Sequence, residues 1–133
     1  MTVSPRSRIF IVDDHPLMRR ALHRLLNLEP GFVTVGEAAS AEDALEQLAD
    51  NPPDLMLVDF SLPGMDGAAF VRAFGQQHPG VRCLVLSSHH EPPYVDAALS
   101  AGARGYVTKG DATTLVGAIH RVLSGEIVVQ TSF

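Results

Sequence analysis

Five short runs of apolar or β-branched residues punctuate the chain: RIFIVD (8–13), GFVTVGE (31–37), DLMLVD (54–59), VRCLVLS (81–87) and ARGYVTK (103–109). Their cores are nearly continuous in apolar character rather than alternating, the pattern of strands covered on both faces of a parallel sheet. Between them the apolar spacing changes to a helical period. Met18, Leu22 and Leu25 recur at i, i+4, i+7, and Ala41, Ala44, Leu45 and Leu48 repeat the pattern. Gly67 to Gln77 carries Phe70, Val71 and Phe74; Tyr94 to Ala101 is Ala-rich behind Pro92 and Pro93. The last helical segment runs through Leu115, Ile119, Val122 and Leu123 and stops at Gly125.

Helix punctuation fits these segments. Pro16 suits a first helical position, Ser40 and Asp111 are good N-caps, and Gly125 is a C-terminal stop. The order is therefore strand then helix, five times over. Such alternation predicts an α/β domain with a parallel sheet, right-handed crossovers and helices on both faces. Neither an internal repeat nor a low-complexity tract appears, and no second-domain linker interrupts the pattern. The tail IVVQTSF (127–133) reads as a strap or the beginning of a linker.

Composition narrows the class. At 133 residues the chain suits one domain with a single core, and 46% hydrophobic with 19% charged residues describes a folded protein. No apolar run approaches the roughly 18–20 residues that span a bilayer, and the start MTVSPRSRIF lacks the longer apolar region of a secretory signal. One cysteine, Cys83, excludes an internal disulfide framework and suits a reducing cytoplasm. A net charge of −5 argues against nucleic acid as a direct partner of this domain.

The chemistry gathers at the strand ends. In open α/β sheets the functional groups collect at the carboxyl ends of the strands. The first run ends in Asp13 and Asp14, the third in Asp59, the fourth in Ser87 and the fifth in Lys109. Two adjacent carboxylates about 4 Å apart repel by roughly 4 kcal/mol at an effective dielectric of 20, so something should offset them. Alone, Asp13-Asp14 would read as a solvated turn, Ser87 as a strand-end cap and Lys109 as a surface lysine. Their convergence with Asp59 on one sheet edge favours a site.

At this point the residues resemble a known family. VDDHP, the strand-end Asp of LVDFSLPGMDG, the LSS of the fourth strand and GARGYVTKG together resemble a response-regulator receiver domain of bacterial two-component systems. The resemblance spans roughly residues 8–125, leaving 126–133 as the start of a linker or tail. DDHPLMRRAL, AGARGYVTK and IHRVLSGE are most similar to the subfamily fused to a LuxR-type helix-turn-helix DNA-binding domain. The resemblance implies a flavodoxin-like (βα)5 doubly wound fold, a five-stranded parallel sheet in the order 2-1-3-4-5.

It also implies roles. Asp59 would be the phosphoacceptor, its oxygen attacking phosphorus to form an acyl phosphate. Asp13, Asp14, Asp59 and the backbone carbonyl of Ser61 would hold Mg²⁺, which takes oxygen ligands and offsets the acidic cluster. Lys109 would meet a phosphoryl oxygen as a point charge, and Ser87 would donate its hydroxyl to another. Ser87 and Tyr106 would form the switch, linking the phosphoryl group to the face of the fourth helix, fifth strand and fifth helix. The implied partners are a sensor histidine kinase and, on phosphorylation, a second copy of the chain, with no membrane contact. Beyond self-phosphorylation and slow autodephosphorylation the domain would not be an enzyme.

Two departures from the family pattern are visible. Gly110 follows Lys109 where many receivers have proline, and Gly does not favour a cis peptide. Leu62 replaces the common Met before the turn proline. His15 is expected as an N-cap, His89 and His90 as loop residues, Met65 to Gly67 as a turn into a helix, and Cys83 as an inert buried thiol. Two rivals stand beside this reading. A haloacid-dehalogenase-like phosphatase would also use an Asp nucleophile and Mg²⁺, but wants Asp-x-Asp rather than Asp13-Asp14-His15. The other is a non-phosphorylated interaction module with a vestigial acid pocket.

Overall fold

A computed structural model of the protein describes residues 6–48, 51–110 and 112–131. The elements alternate: β1 (Ser7–Val12), α1 (Pro16–Asn27), β2 (Phe32–Ala38), α2 (Ala41–Gln47), β3 (Leu55–Asp59), α3 (Gly67–Gln77), β4 (Arg82–Ser87), α4 (Pro92–Ser100), β5 (Gly105–Thr108), α5 (Ala112–Leu123) and β6 (Val128–Gln130). Each adjacent strand pair is parallel, and the sheet order is β2-β1-β3-β4-β5-β6.

The sixth strand corrects the expected five. Val128–Gln130 lies in the tail read as a linker, yet it pairs with β5 in the register Gly105↔Val128 and Tyr106↔Val129. Three residues are too few to show a periodicity, and Val129 is half exposed. The pairing arises from the turn before it. Gly125 adopts φ +103°, while its own N–H and that of Glu126 bond back to the carbonyls of Val122 and Arg121. This αL cap closes α5 and turns the chain back along β5. Gly102, at φ +113°, ends α4 in the same way.

The helices form where the sequence punctuates them. Pro16 opens α1, and Pro92 and Pro93 fall in the first turn of α4, where a missing N–H costs nothing. Ser40 caps α2 by accepting from the Asp43 amide, and Asp66 caps α3 by accepting from Ala69. His15 occupies the N-cap position of α1, but its side chain makes no capping bond. Asp111, expected as an N-cap, lies outside the described residues.

Alternate residues of each central strand serve opposite cores. Ile9 and Ile11, Leu55 and Leu57, and Leu84 and Leu86 meet Leu22 and Leu26 of α1 and Leu115, Ile119 and Val122 of α5. Phe10 and Val12, Met56 and Val58, and Cys83 and Val85 meet α2, α3 and α4 through Ala44, Phe70, Phe74 and Ala98. The arrangement has three layers with apolar residues on both faces of the sheet, which accounts for the unbroken apolar runs. Each fully buried Leu, Ile or Phe contributes about 1.5–3 kcal/mol relative to exposure.

The topology fixes where a site forms. From β1 the chain goes outward to β2, then returns across β1 to β3. Strand order reverses between β1 and β3, and the crevice beyond their carboxyl ends is the general ligand position in such sheets. Asp13 follows β1 and Asp59 ends β3.

Candidate phosphoacceptor and metal site

Asp13 and Asp59 are 1% and 2% exposed, and with Ser87 they are the buried polar residues of the described chain. Each acid is held by its own strand end in the same manner. The His15 amide donates to Asp13 Oδ1 at 2.8 Å, and the Ser61 amide donates to Asp59 Oδ1 at 3.1 Å. One oxygen of each carboxylate is thereby fixed by an N–H two residues further on. The other is left over: Asp13 Oδ2 and Asp59 Oδ2, together with Asp14 Oδ1, are buried and accept no well-formed hydrogen bond.

Three orphaned carboxylate oxygens in one hollow are costly unless a cation meets them. One cation is close: Lys109 Nζ lies 3.3 Å from Asp59 Oδ2. Backbone pairing delivers it there, since the Lys109 amide donates to the Ser87 carbonyl at 2.8 Å. The His15 ring also faces the cluster: its Nδ1 lies 3.1 Å from both Asp13 Oδ1 and Asp14 Oδ1 and 3.8 Å from Asp59 Oδ2. One ligand atom each from Asp13, Asp14, His15 and Asp59 falls within 4.8 Å of all the others. Hard oxygen donors of this kind, with unsatisfied lone pairs, fit a small divalent cation.

Electrostatics single out Asp59. Burial pushes its carboxyl above the ordinary range and outweighs the Ser61 amide and Lys109 ammonium, which pull it down; Asp13 adds a further upward push. A buried group perturbed in this way inside a cleft is a candidate functional position.

Gly67 makes the approach of α3 possible. A Cβ there would lie 2.5 Å from the Asp59 carbonyl oxygen and 2.7 Å from Phe60 Cα, and the Gly67 amide donates to the Phe60 carbonyl at 2.8 Å. The turn 65–67 thus braces the backbone just past Asp59, a role its composition did not announce.

Beside the acids stands an aromatic group. Tyr106 is fully buried with its hydroxyl donating to the His89 carbonyl at 2.6 Å, and the His89 amide donates to Ser87 Oγ at 3.0 Å. The His89 ring stacks on Tyr94, centroids 4.0 Å apart, while Phe60 meets Tyr94 edge-on at 5.5 Å. Ser87 and Tyr106 are therefore joined through one residue of the β4–α4 loop. Burial pushes the Tyr106 phenol up from its usual value.

The structure brings Asp13, Asp14, Asp59 and Lys109 into one cluster. Ser87 ends the neighbouring strand, one residue past the Asp59↔Leu86 pairing. Sequence reasoning missed His15 as a member; its two-residue spacing from Asp13 was the available signal. It also missed Arg19, whose Nη1 donates to the Asp13 carbonyl at 2.7 Å. No described peptide bond is cis, so Lys109–Gly110 is trans. Among the described residues no helix is long and apolar enough to cross a membrane.

Comparison with known proteins points the same way. The sequence pattern of the response regulator receiver domain matches residues 9–120. The transcriptional activator protein ExaE of Pseudomonas putida is 39% identical over 123 residues, 92% of this chain and 58% of that protein. The transcriptional regulatory protein DegU of Brevibacillus brevis is 38% identical over 119 residues, 89% of this chain and 50% of that protein. The chain thus spans about half the length of these relatives. A LuxR-family two-component response regulator from Aurantimonas sp. SI85-9A1 superposes with TM-score 0.88 at 36% identity, covering 92% of this chain and 89% of that one. The signal receiver domain of the putative response regulator NarL from Mycobacterium tuberculosis gives TM-score 0.86 at 35% identity, covering 92% and 100%. With this sequence match, this fold and this cluster of acids at the β1/β3 crevice, the chain belongs to the response regulator receiver domain family.

Proposed function

We propose that Asp59 accepts a phosphoryl group from the phosphohistidine of a sensor histidine kinase. The observation that carries this reading is the convergence of Asp13, Asp14 and Asp59, each with an orphaned oxygen, beside Lys109. An Asp59 oxygen attacks phosphorus, the bond to the donor imidazole breaks, and an acyl phosphate remains. Asp13, Asp14, Asp59 and the Ser61 carbonyl would hold Mg²⁺. Bound there, such an ion would supply positive charge against the acceptor carboxylate and the phosphoryl group. Lys109 faces a phosphoryl oxygen, and Ser87 donates its hydroxyl to another. Water later cleaves the acyl phosphate slowly in the same pocket.

The switch follows from Ser87 and Tyr106. Phosphorylation adds about −1.5 to −2 charges and three acceptor oxygens, which draw the Ser87 hydroxyl away from the His89 amide. That weakens one of the bonds holding the β4–α4 loop, and the α4–β5–α5 face changes population between two states. Relatives named as transcriptional regulators are longer, the matched region being 50% and 58% of their lengths. In a longer regulator of that kind, this switch would act on a helix-turn-helix DNA-binding domain, with a phosphorylation-driven homodimer as the active form. The net charge of −5 leaves DNA contact to that domain, and the lone reduced-type cysteine fits action in the cytoplasm.

Incubation with Mg²⁺ and acetyl phosphate tests the reading. One phosphoryl mass is expected per chain, absent in Asp59→Asn and in EDTA. No labelling of the wild-type protein would leave the vestigial interaction module standing.

A further inference from the structure

We propose that His15 is a nitrogen ligand of the metal centre, so that the site prefers nitrogen-accepting divalent ions such as Co²⁺ and Ni²⁺ over Mg²⁺. This rests on the acid cluster being the metal centre, as argued above, and adds a donor of different chemistry to it.

Geometry carries the proposal. Adjacent ligands on an octahedral ion with bonds of 2.0–2.1 Å stand about 3 Å apart. His15 Nδ1 stands 3.1 Å from Asp13 Oδ1 and 3.1 Å from Asp14 Oδ1, with Asp59 Oδ2 at 3.8 Å. The ring is not engaged in holding its helix, because the His15 side chain makes no capping bond to α1. Its backbone is nonetheless set: the His15 amide is tied to Asp13 Oδ1 at 2.8 Å and Pro16 opens the helix behind it.

Hydrogen bonding alone accounts for the arrangement poorly. A neutral imidazole nitrogen carries at most one proton, and Nδ1 faces oxygens of three carboxylates. Nδ1 makes a 3.1 Å hydrogen-bond contact with Asp13 Oδ1 and Lys109 Nζ lies 3.3 Å from Asp59 Oδ2, yet Asp13 Oδ2 and Asp14 Oδ1 are still without a well-formed bond. An ion with several coordination positions meets all four residues together. Affinity for an imidazole-containing site rises from Mn²⁺ through Co²⁺ and Ni²⁺ to Cu²⁺, whereas carboxylates and water suit Mg²⁺. Mg²⁺ remains a competent occupant through the oxygens; the ring is a ligand from which it gains little.

The test uses the whole chain and metal salts alone. Titration calorimetry with MgCl₂, CoCl₂ and NiCl₂ is run on the wild type, His15→Ala and His15→Asn, and pulsed EPR on the Mn²⁺-loaded proteins. Expected are ¹⁴N modulation from an imidazole in the wild type that both variants lack, and a loss of Co²⁺ and Ni²⁺ affinity of about 10–100-fold. Mg²⁺ affinity should change less than about threefold. Bound Mn²⁺ without nitrogen modulation, or an unchanged Ni²⁺ to Mg²⁺ affinity ratio in the variants, overturns the role of His15. Persistent Mg²⁺-dependent labelling of Asp59 in that case leaves the phosphoacceptor reading intact. Absence of both divalent-ion binding and labelling overturns the two together.

Discussion

The Tyr106 hydroxyl donates a 2.6 Å hydrogen bond to the carbonyl of His89, tying the interior of β5 to the loop that follows Ser87. Tyr106 is fully buried, so its loss cannot be made good by water without disturbing the core. Tyr106→Phe keeps the ring and removes only the donor. It is expected to cost about 1 kcal/mol, roughly 3–5 °C in Tm for a domain of this size. Faster amide exchange at His89 and His90 with unchanged exchange in β1 would locate the effect; a uniform acceleration would count against it.

Asp59 imposes a charge penalty on the metal-free fold. Its carboxyl is held above the ordinary range, mainly by burial, so the folded chain keeps that proton to higher pH than the unfolded chain. Between the unfolded and the raised folded value the native state binds more protons, and stability falls as pH rises through that window. Asp59→Asn removes the penalty. In EDTA at pH 7 the variant should melt a few degrees above the wild type, and the gap should narrow as pH falls through the carboxylate range. A variant less stable at pH 7 would show that attraction to Lys109 outweighs burial.

Removal of metal provides a complementary measurement. A ligand bound only by the native state stabilises it by RT ln(1 + [L]/Kd), about 2.7 kcal/mol at 100 times Kd. Millimolar Mg²⁺ should therefore raise the wild-type Tm and EDTA reverse it. In Asp13→Asn, where a buried oxygen ligand becomes a neutral amide, the Mg²⁺-induced rise should largely disappear.

Gly67 has no room for a side chain. A methyl group there would sit 2.5 Å from the Asp59 carbonyl, and backbone cannot yield as a flexible side chain does. Gly67→Ala is expected to destabilise by about 1–3 kcal/mol and to slow acetyl phosphate labelling by displacing the β3–α3 turn. Gly75→Ala, on an open part of the same helix, is the control and should be neutral or mildly stabilising.

Cys83 lies inside β4, and burial pushes its thiol up to about 12. Thiolate is the reactive form, so the native protein should resist iodoacetamide at pH 8. Labelling should begin only as the sheet opens, which makes Cys83 a reporter of unfolding rate. Rapid modification of the folded protein would contradict its placement.

The order of strands and helices was legible in the sequence because burial on both sheet faces leaves continuous apolar runs and the helices carry ordinary punctuation. The site was legible as far as residue types at strand ends determine it. Asp13, Asp14, Asp59 and Lys109 converge because parallel strands all point one way. The role of His15 was only partly legible: its two-residue spacing from Asp13 places it near the cluster, but its ring direction depends on the backbone at the helix entrance and on the bond to Asp13. The Tyr106–His89 bond was hidden for a related reason, since a loop carbonyl has no signature in residue type. The sixth strand depends on the turn at Gly125 and on a free margin of β5, a relationship between segments rather than a property of VVQ itself.

That short outer strand has a practical corollary. Val128 donates its amide to the Arg104 carbonyl at 3.0 Å and shields the row of polar backbone groups along Gly105–Val107. A protein trimmed after Leu123 would bare this rim, and bare sheet rims fuse with their own kind. Self-association of such a fragment would reflect the cut and tell nothing about signalling, so any comparison of monomer and dimer needs the chain through Gln130.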